Sequence, residues 1–380
     1  TTNDSSGTDA DVTIDGGTTA LILAASTIDG DLTVTNGNSI TDSGIVTVGG
    51  NLAATTDDNN GLINLGTLAV DGTVALTTNG SGNATAVNDA GLTFAASTVG
   101  GNLAATATTG NMADSGALTI AGTTTLTTSA NNATIALDTT TNAFTGAVTI
   151  TTNDNDGTAA DVTIDGGTTA LILAASTIDG DLTVRSGNAS GITDSGTVTV
   201  GGNLVATTDE NNGVINLGDL AVDGTVQLTT HGSGDATVVN DAGLTFLAST
   251  VRNLAATATT GNIVDSGVLT VAGTSSFTTS ANNADITLNN TNALTGAVAL
   301  NTTGGTGHAT VDNGTTALNI AASSVGGNLT LTSGHASGIT DSGTVTVGGW
   351  LRATTDANNG VINLDQLAVD GTVALTTNGN

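Results

Sequence analysis

The chain of 380 residues has no cysteine, no proline, no lysine and no tyrosine, and only one tryptophan, one methionine and four phenylalanines. Without cysteine there is no disulfide frame, and the redox compartment leaves no trace in the sequence. Without lysine there are no Lys–Asn isopeptide cross-links, so whatever stabilises the chain is non-covalent. The absence of proline suits uninterrupted β-ladders, because proline removes a ladder donor. With aromatic residues at 1%, the 38% of hydrophobic residues are almost all Ala, Val, Leu and Ile. A thin core of small aliphatic side chains follows, since a wide globular core draws on aromatic rings.

Positive charge is nearly missing as well. Arg185, Arg252 and Arg352 stand against 33 acidic residues, of which Glu210 alone is Glu, for a formal charge of −30. That excludes nucleic acid, where Lys and Arg neutralise phosphates, and anionic membrane surfaces. It favours solubility, repulsion between like surfaces and attraction of divalent cations. No membrane-spanning apolar run is visible. The chain starts and stops in mid-repeat, at Thr1 and Asn380, and reads as a segment of a longer array with its targeting signals elsewhere.

What is present is repetition. Thr1–Val34 returns almost unchanged as Thr151–Val184, and a shorter relative lies at Asp312–Leu331. The unit is about 150 residues, giving super-repeats at 1–150 and 151–297 and a partial third at 298–380. A finer register marks strand starts, a Gly followed by Asp, Asn or Thr and an aliphatic. These begin at Gly30, Gly50 and Gly72, and Arg252 takes one such slot before Gly273. Steps between starts run 20, 22, 29, 21, 24 and 34 residues, then 22, 22, 28, 21, 23 and 31, then 22 and 22.

Within each step, segments such as Asp31-Leu32-Thr33-Val34 and Thr73-Val74-Ala75-Leu76-Thr77 alternate aliphatic residues with Thr between Gly, Asn and Asp. Alternation with period two, rich in β-branched residues, predicts short strands. Thr18–Thr27 is the one longer apolar run, and its place in the array predicts a single buried strand. Strands this short, with no helical spacing between them, predict an all-β chain. It is a right-handed parallel β-helix (β-solenoid) of about 15 rungs, roughly 70 Å long at 4.8 Å per rung. A string of small sandwiches is the weaker reading. The long steps, near Thr151–Ala160, Leu300–Asp312, Asn79–Asn88 and His231–Asn240, are expected to bulge as loops, where recognition usually sits.

The G-[DN]-L-x-x-T starts, the I-x-D-S-G-x-[LV]-T-[VI] segments and the Thr/Asn/Gly/Asp-rich composition resemble the large repetitive exoproteins of bacteria. Among these are the filamentous-haemagglutinin-like β-helical adhesins and related giant surface proteins. The resemblance implies a secreted or surface-attached fibre or adhesin.

Candidate chemistry is sparse. Asp-Ser-Gly occurs at Asp42, Asp114, Asp194, Asp265 and Asp341, but three histidines cannot serve five serine nucleophiles. A turn is expected there, with Asp capping backbone N–H groups and Gly at positive φ. His231 stands where Asn79 and Asn378 stand, and His335 where Asn188 stands, as turn residues do; His308 is the third. A saccharide groove needs clustered carboxylates beside a basic residue and aromatic platforms. The three arginines fall at three register positions, and Trp350 replaces Asn51 and Asn203 at an outward strand start. Asn153-Asp154-Asn155-Asp156-Gly157 is the best calcium-like loop, yet its spacing fails the EF-hand, and the first copy, Asn3–Gly7, carries fewer carboxylates. A flat threonine lattice for ice, around Thr33-Val34-Thr35 or Thr245 beside Phe246, conflicts with unequal steps. Sequons such as Asn83-Ala84-Thr85 and Asn132-Ala133-Thr134 are frequent by composition.

These observations predict a structural component of an extracellular fibre, sheath or surface adhesin, self-associating and binding no nucleic acid or membrane. A carbohydrate-binding adhesin is the alternative, and a β-helical polysaccharide enzyme a more distant one. No catalytic, cofactor or metal residues are expected, beyond weak calcium binding through net charge.

Overall fold

The computed structural model describes residues 1–2, 10–57, 60–155, 159–209, 212–356 and 359–378. Over these residues the chain is an all-β parallel solenoid of about 17 turns, with no helix. Strand Leu32–Asn36 shows the rule that builds it. Leu32, Val34 and Asn36 point inward and are buried, while Thr33 and Thr35 face out. Its neighbours stack in parallel register, Val12 beside Leu32 and Leu32 beside Leu52, so each residue type meets its like one turn away. Small aliphatic side chains fill the interior, and all four phenylalanines are fully buried there.

Each turn contributes to two sheets, and the two sides differ. One side is a straight strand; the other is in most turns a pair of two- or three-residue strands separated by a bend, and at Ile63–Val70 and Ile215–Val222 one continuous strand with a register shift. Thr18–Thr27, expected as one buried strand, falls on a bent side. It forms Leu21–Leu23 and Ser26–Ile28 with a bend between them, and Ile22 is exposed.

Contact clustering divides the chain into two compact units. In the first, Thr1–Asn188 with Thr193–Gly202, the straight side begins on the first sheet, with Leu32–Asn36, Leu52–Thr56 and Thr73–Thr77. It then moves to the second sheet with Ala84–Asn88, Leu103–Ala107, Thr124–Asn131 and Val148–Asn153, and returns to the first with Val162–Asp165 and Leu182–Ser186. In the second unit, Ala189–Ile192 with Asn203–Asn380, the same exchange runs from Thr225–Thr229 to Ala236–Asn240, and from Ala297–Thr303 to Ala309–Asp312.

These exchanges explain the long steps, and they correct the expectation of bulged loops. The step from Gly72 to Gly101 leads from a strand start on the first sheet to one on the second, because it contains one and a half turns. The extra residues form strands in register: Ala84–Asn88 pairs with Ile63–Val70 below and Leu103–Ala107 above. The same holds for the three other long steps, which contain Val162–Asp165, Ala236–Asn240 and Ala309–Asp312; of the expected bulge at Thr151–Ala160, residues 156–158 lie outside the described residues. Four half-turns added in this way raise the expected 15 rungs to about 17 turns. Turn lengths are therefore even, so unequal steps no longer count against a regular outer face.

Candidate functional surface

Two buried polar devices carry out the exchange of sides. Where two short strands stack over one straight strand, the bend leaves a backbone N–H of the straight strand without a ladder partner. A serine supplies it: the Oγ atoms of Ser97, Ser176, Ser249 and Ser323 accept the N–H groups of Leu76, Ile150, Leu228 and Leu300, at 3.0, 3.0, 3.1 and 3.1 Å. Each hydroxyl also donates to the carbonyl two residues before it, as Ser97 does to Ala95 at 2.8 Å. In the opposite exchange an asparagine amide stands in for a missing peptide. Asn88 accepts the N–H of Val70 at 2.9 Å and donates to the Val70 carbonyl at 3.0 Å. Asn240 treats Val222 in the same way, and Asn313 treats Leu294. Neither device was foreseen. The signal for the first is Ala-Ser-[TS]-[IV], present five times from Ala25 to Val325. For the second it is an Asn at the last inward position of a straight strand, a register it shares with Ala, Thr and Ser.

A third device runs along the outer corner. At successive strand starts a side-chain acceptor, usually an Asx oxygen, takes the backbone N–H of its counterpart one turn on. Asp11 accepts from Asp31 at 2.8 Å, Asp31 from Asn51 at 2.7 Å and Asn51 from Thr73 at 2.9 Å. In the second unit the ladder runs Asn262, Asp285, His308, Asn328, Trp350. Glycine precedes most of these residues because the turns approach too closely for a side chain: a Cβ on Gly50 would overlap the Asp31 carboxylate.

The Asp-Ser-Gly triplets serve the stacking as well. The Ser115 and Ser266 hydroxyls donate to the Phe94 and Phe246 carbonyls of the preceding turn, both at 3.0 Å. The aspartates reach the other way. Asp42 accepts the N–H groups of Gly66 and Thr67, and Asp265 those of Asn289 and Asn290. The expected cap is therefore present, but across turns. The glycines are not at positive φ, contrary to expectation. They are small because the bend of the preceding turn presses on them, a Cβ at Gly116 falling 2.6 Å from the Ala96 nitrogen.

The histidines occupy turn and corner positions. His231 Nδ1 lies 2.7 Å from the Thr208 carbonyl and so donates to it, whereas His308 and His335 accept backbone N–H groups at Nδ1. Arg252 sits 3.6 Å from Asp235 at a corner, Arg352 lies mid-strand between Thr330 and Ala374, and Arg185 lies opposite Asp165. Trp350 is 42% exposed at its strand start, facing out as expected. The calcium-like loop lies in part outside the described residues, at 156–157, and Asn3–Gly7 wholly so. Asp154 Oδ2 accepts the Ala159 N–H. Among the described residues no three His, Asp or Glu side chains converge as metal ligands. A shallow trough of about 380 Å³ crosses the second sheet beside Asp235 and Asn253, floored by Ala255, Ser276 and Ala299.

A family model described as repeats of unknown function (DUF5649) matches residues 9–56, 81–151, 159–209, 233–301 and 306–378. No curated protein and no solved structure matches the chain.

Proposed function

The chain belongs to that family of repeats of unknown function (DUF5649), and from this premise we propose that it is a structural part of an extracellular fibre, sheath or surface adhesin. One observation carries the reading. Between the exchanges of sides, the bonds that join turn to turn, the sheet ladders and the Asx corner, recur at successive turns, so the stack extends by repeating one set of contacts. Each added turn satisfies the backbone groups that the previous one presents. The mechanism is mechanical, with no chemistry of its own. The serines that invite a catalytic reading donate to carbonyls of neighbouring turns. The filamentous-haemagglutinin-like adhesins are the kind of surface protein this composition suits, and placement outside the cell goes with that resemblance.

Cryo-electron microscopy of the material as isolated tests the reading. Continuous rods with a repeat near 4.8 Å support it; discrete particles with a carboxylate-lined groove overturn it. A carbohydrate-binding adhesin is the second reading, favoured by the half-exposed ring of Trp350 at a corner. Loss of glycan binding on Trp350→Ala would single it out.

A further inference from the structure

Charge and neutral surface are segregated in this fold. In the first unit the carboxylates sit at corners and strand ends, as Asp11, Asp31, Asp42 and Asp114 do. The outward mid-strand positions are uncharged, Arg185 excepted: Thr and Ala on the first sheet, and mostly Thr and Ala on the second, where Ile22, Asn64, Val87 and Ile172 join them. On the first sheet, Thr35, Thr55, Thr77, Thr98 and Thr119 form one unbroken column. On the second sheet, Thr106, Thr127, Thr151, Thr177 and Thr199 form another. Each column starts on straight strands and continues onto bent ones, and no loop interrupts it.

The geometry points to these two neutral faces as the surfaces through which copies of this chain pack side by side. The inference rests on the fibre reading and adds to it where lateral contact occurs. Three physical arguments select a second copy as the occupant. Uncharged outward side chains, most of them small, allow sheets to stack face to face at about 10 Å. A face about nine turns deep and one strand wide offers roughly 700 Å², close to the ~800 Å² each partner gives to a stable interface. Finally, at −30 per chain, copies approach with least repulsion where carboxylates are absent. Because the columns lie on both sheets, each chain offers two such faces, so packing extends into layers. The acidic corners then face their counterparts across about 10 Å, little more than the Debye length of about 8 Å at physiological salt, so their repulsion is only partly screened. Lateral packing therefore requires salt or divalent cations.

The test compares the unaltered chain with two variants of equal net charge, by light scattering and analytical ultracentrifugation in rising sodium or calcium chloride. Thr77→Glu with Thr151→Glu places one carboxylate on each face; Asn51→Asp with Asn102→Asp places both at corners and keeps an accepting oxygen in the ladder. Circular dichroism confirms that both variants fold. The parent and the corner variant are expected to associate at high salt. The face variant should need about tenfold more protein or remain monomeric, because each added charge meets its like across the contact. Association of the face variant at the parent's concentration overturns the assignment, as does a parent that stays unassociated throughout. Single, unbundled rods in the microscope would also overturn it while leaving the fibre reading intact.

Discussion

The hydroxyl of Ser97 accepts the backbone N–H of Leu76 across one turn of the solenoid, at 3.0 Å, and thereby holds a bent side over a straight one. Both partners are buried, so water cannot replace the bond. Ser97→Ala leaves the Leu76 N–H and the Ala95 carbonyl short of a partner, and the expected loss is about 2 kcal/mol of unfolding free energy. Ser26 occupies the same place in its copy but, among the described residues, bonds only to the Ala24 carbonyl. Ser26→Ala should cost clearly less. Denaturant unfolding of the two variants decides, and equal losses would remove the special role of the Leu76 bond.

The asparagine that takes the place of a peptide group should be less replaceable still. Asn240 makes three bonds at once, two to Val222 and one to the Gly243 carbonyl. Asn240→Leu keeps the volume and removes all three, for an expected loss of about 3 kcal/mol. Asn240→Asp keeps the accepting oxygen but not the donors, and buries a charge, so it should be no better. A leucine variant as stable as the parent would refute the peptide-mimic account.

Corner glycines are expected to be intolerant in proportion to crowding. A Cβ at Gly50 meets the Asp31 carboxylate and the Gly30 backbone, whereas one at Gly305 meets nothing within 4 Å. Gly50→Ala should spread the two turns and speed amide exchange at Asn51, whose N–H bonds to Asp31. Gly305→Ala should leave exchange unchanged. Hydrogen exchange read by mass spectrometry separates the two outcomes.

At the corner, an imidazole takes the place of an Asx oxygen. His308 accepts the Asn328 N–H at Nδ1, at 2.8 Å. His308→Ala removes that acceptor and should speed amide exchange at Asn328, whereas His308→Asn, which restores an Asx acceptor, should leave exchange close to that of the parent. Equal exchange in the alanine variant and the parent would remove the ring from the ladder.

The parallel solenoid was legible because it depends on local pattern: inward Leu32 and Val34 alternating with outward Thr33 and Thr35 identify a strand in any context. The exchange of sides was not, because it depends on partners far apart in sequence. Asn88 and Val70 lie 18 residues apart, and Ser97 and Leu76 lie 21 apart. A loop and an extra half-turn also lengthen a step by similar amounts, so the distance from Gly72 to Gly101 did not distinguish them. Only the pairing of Ala84–Asn88 on both edges does. At the corner, the need for glycine before Asp or Asn was readable as a recurrence. Its cause, contact with the turn below, appears only in the stack.

The half-turn steps come in pairs, and this bears on how such a chain can grow. From Gly30 to Gly180, four ordinary steps and two of one and a half turns make seven whole turns, and the straight side is back on the sheet where it began. A duplication or deletion between Thr1–Val34 and Thr151–Val184 therefore changes length without changing the facing of anything beyond it. Exchange over half that distance would leave every later turn reversed. The near-identity of these two stretches marks the spacing at which unequal recombination is structurally silent.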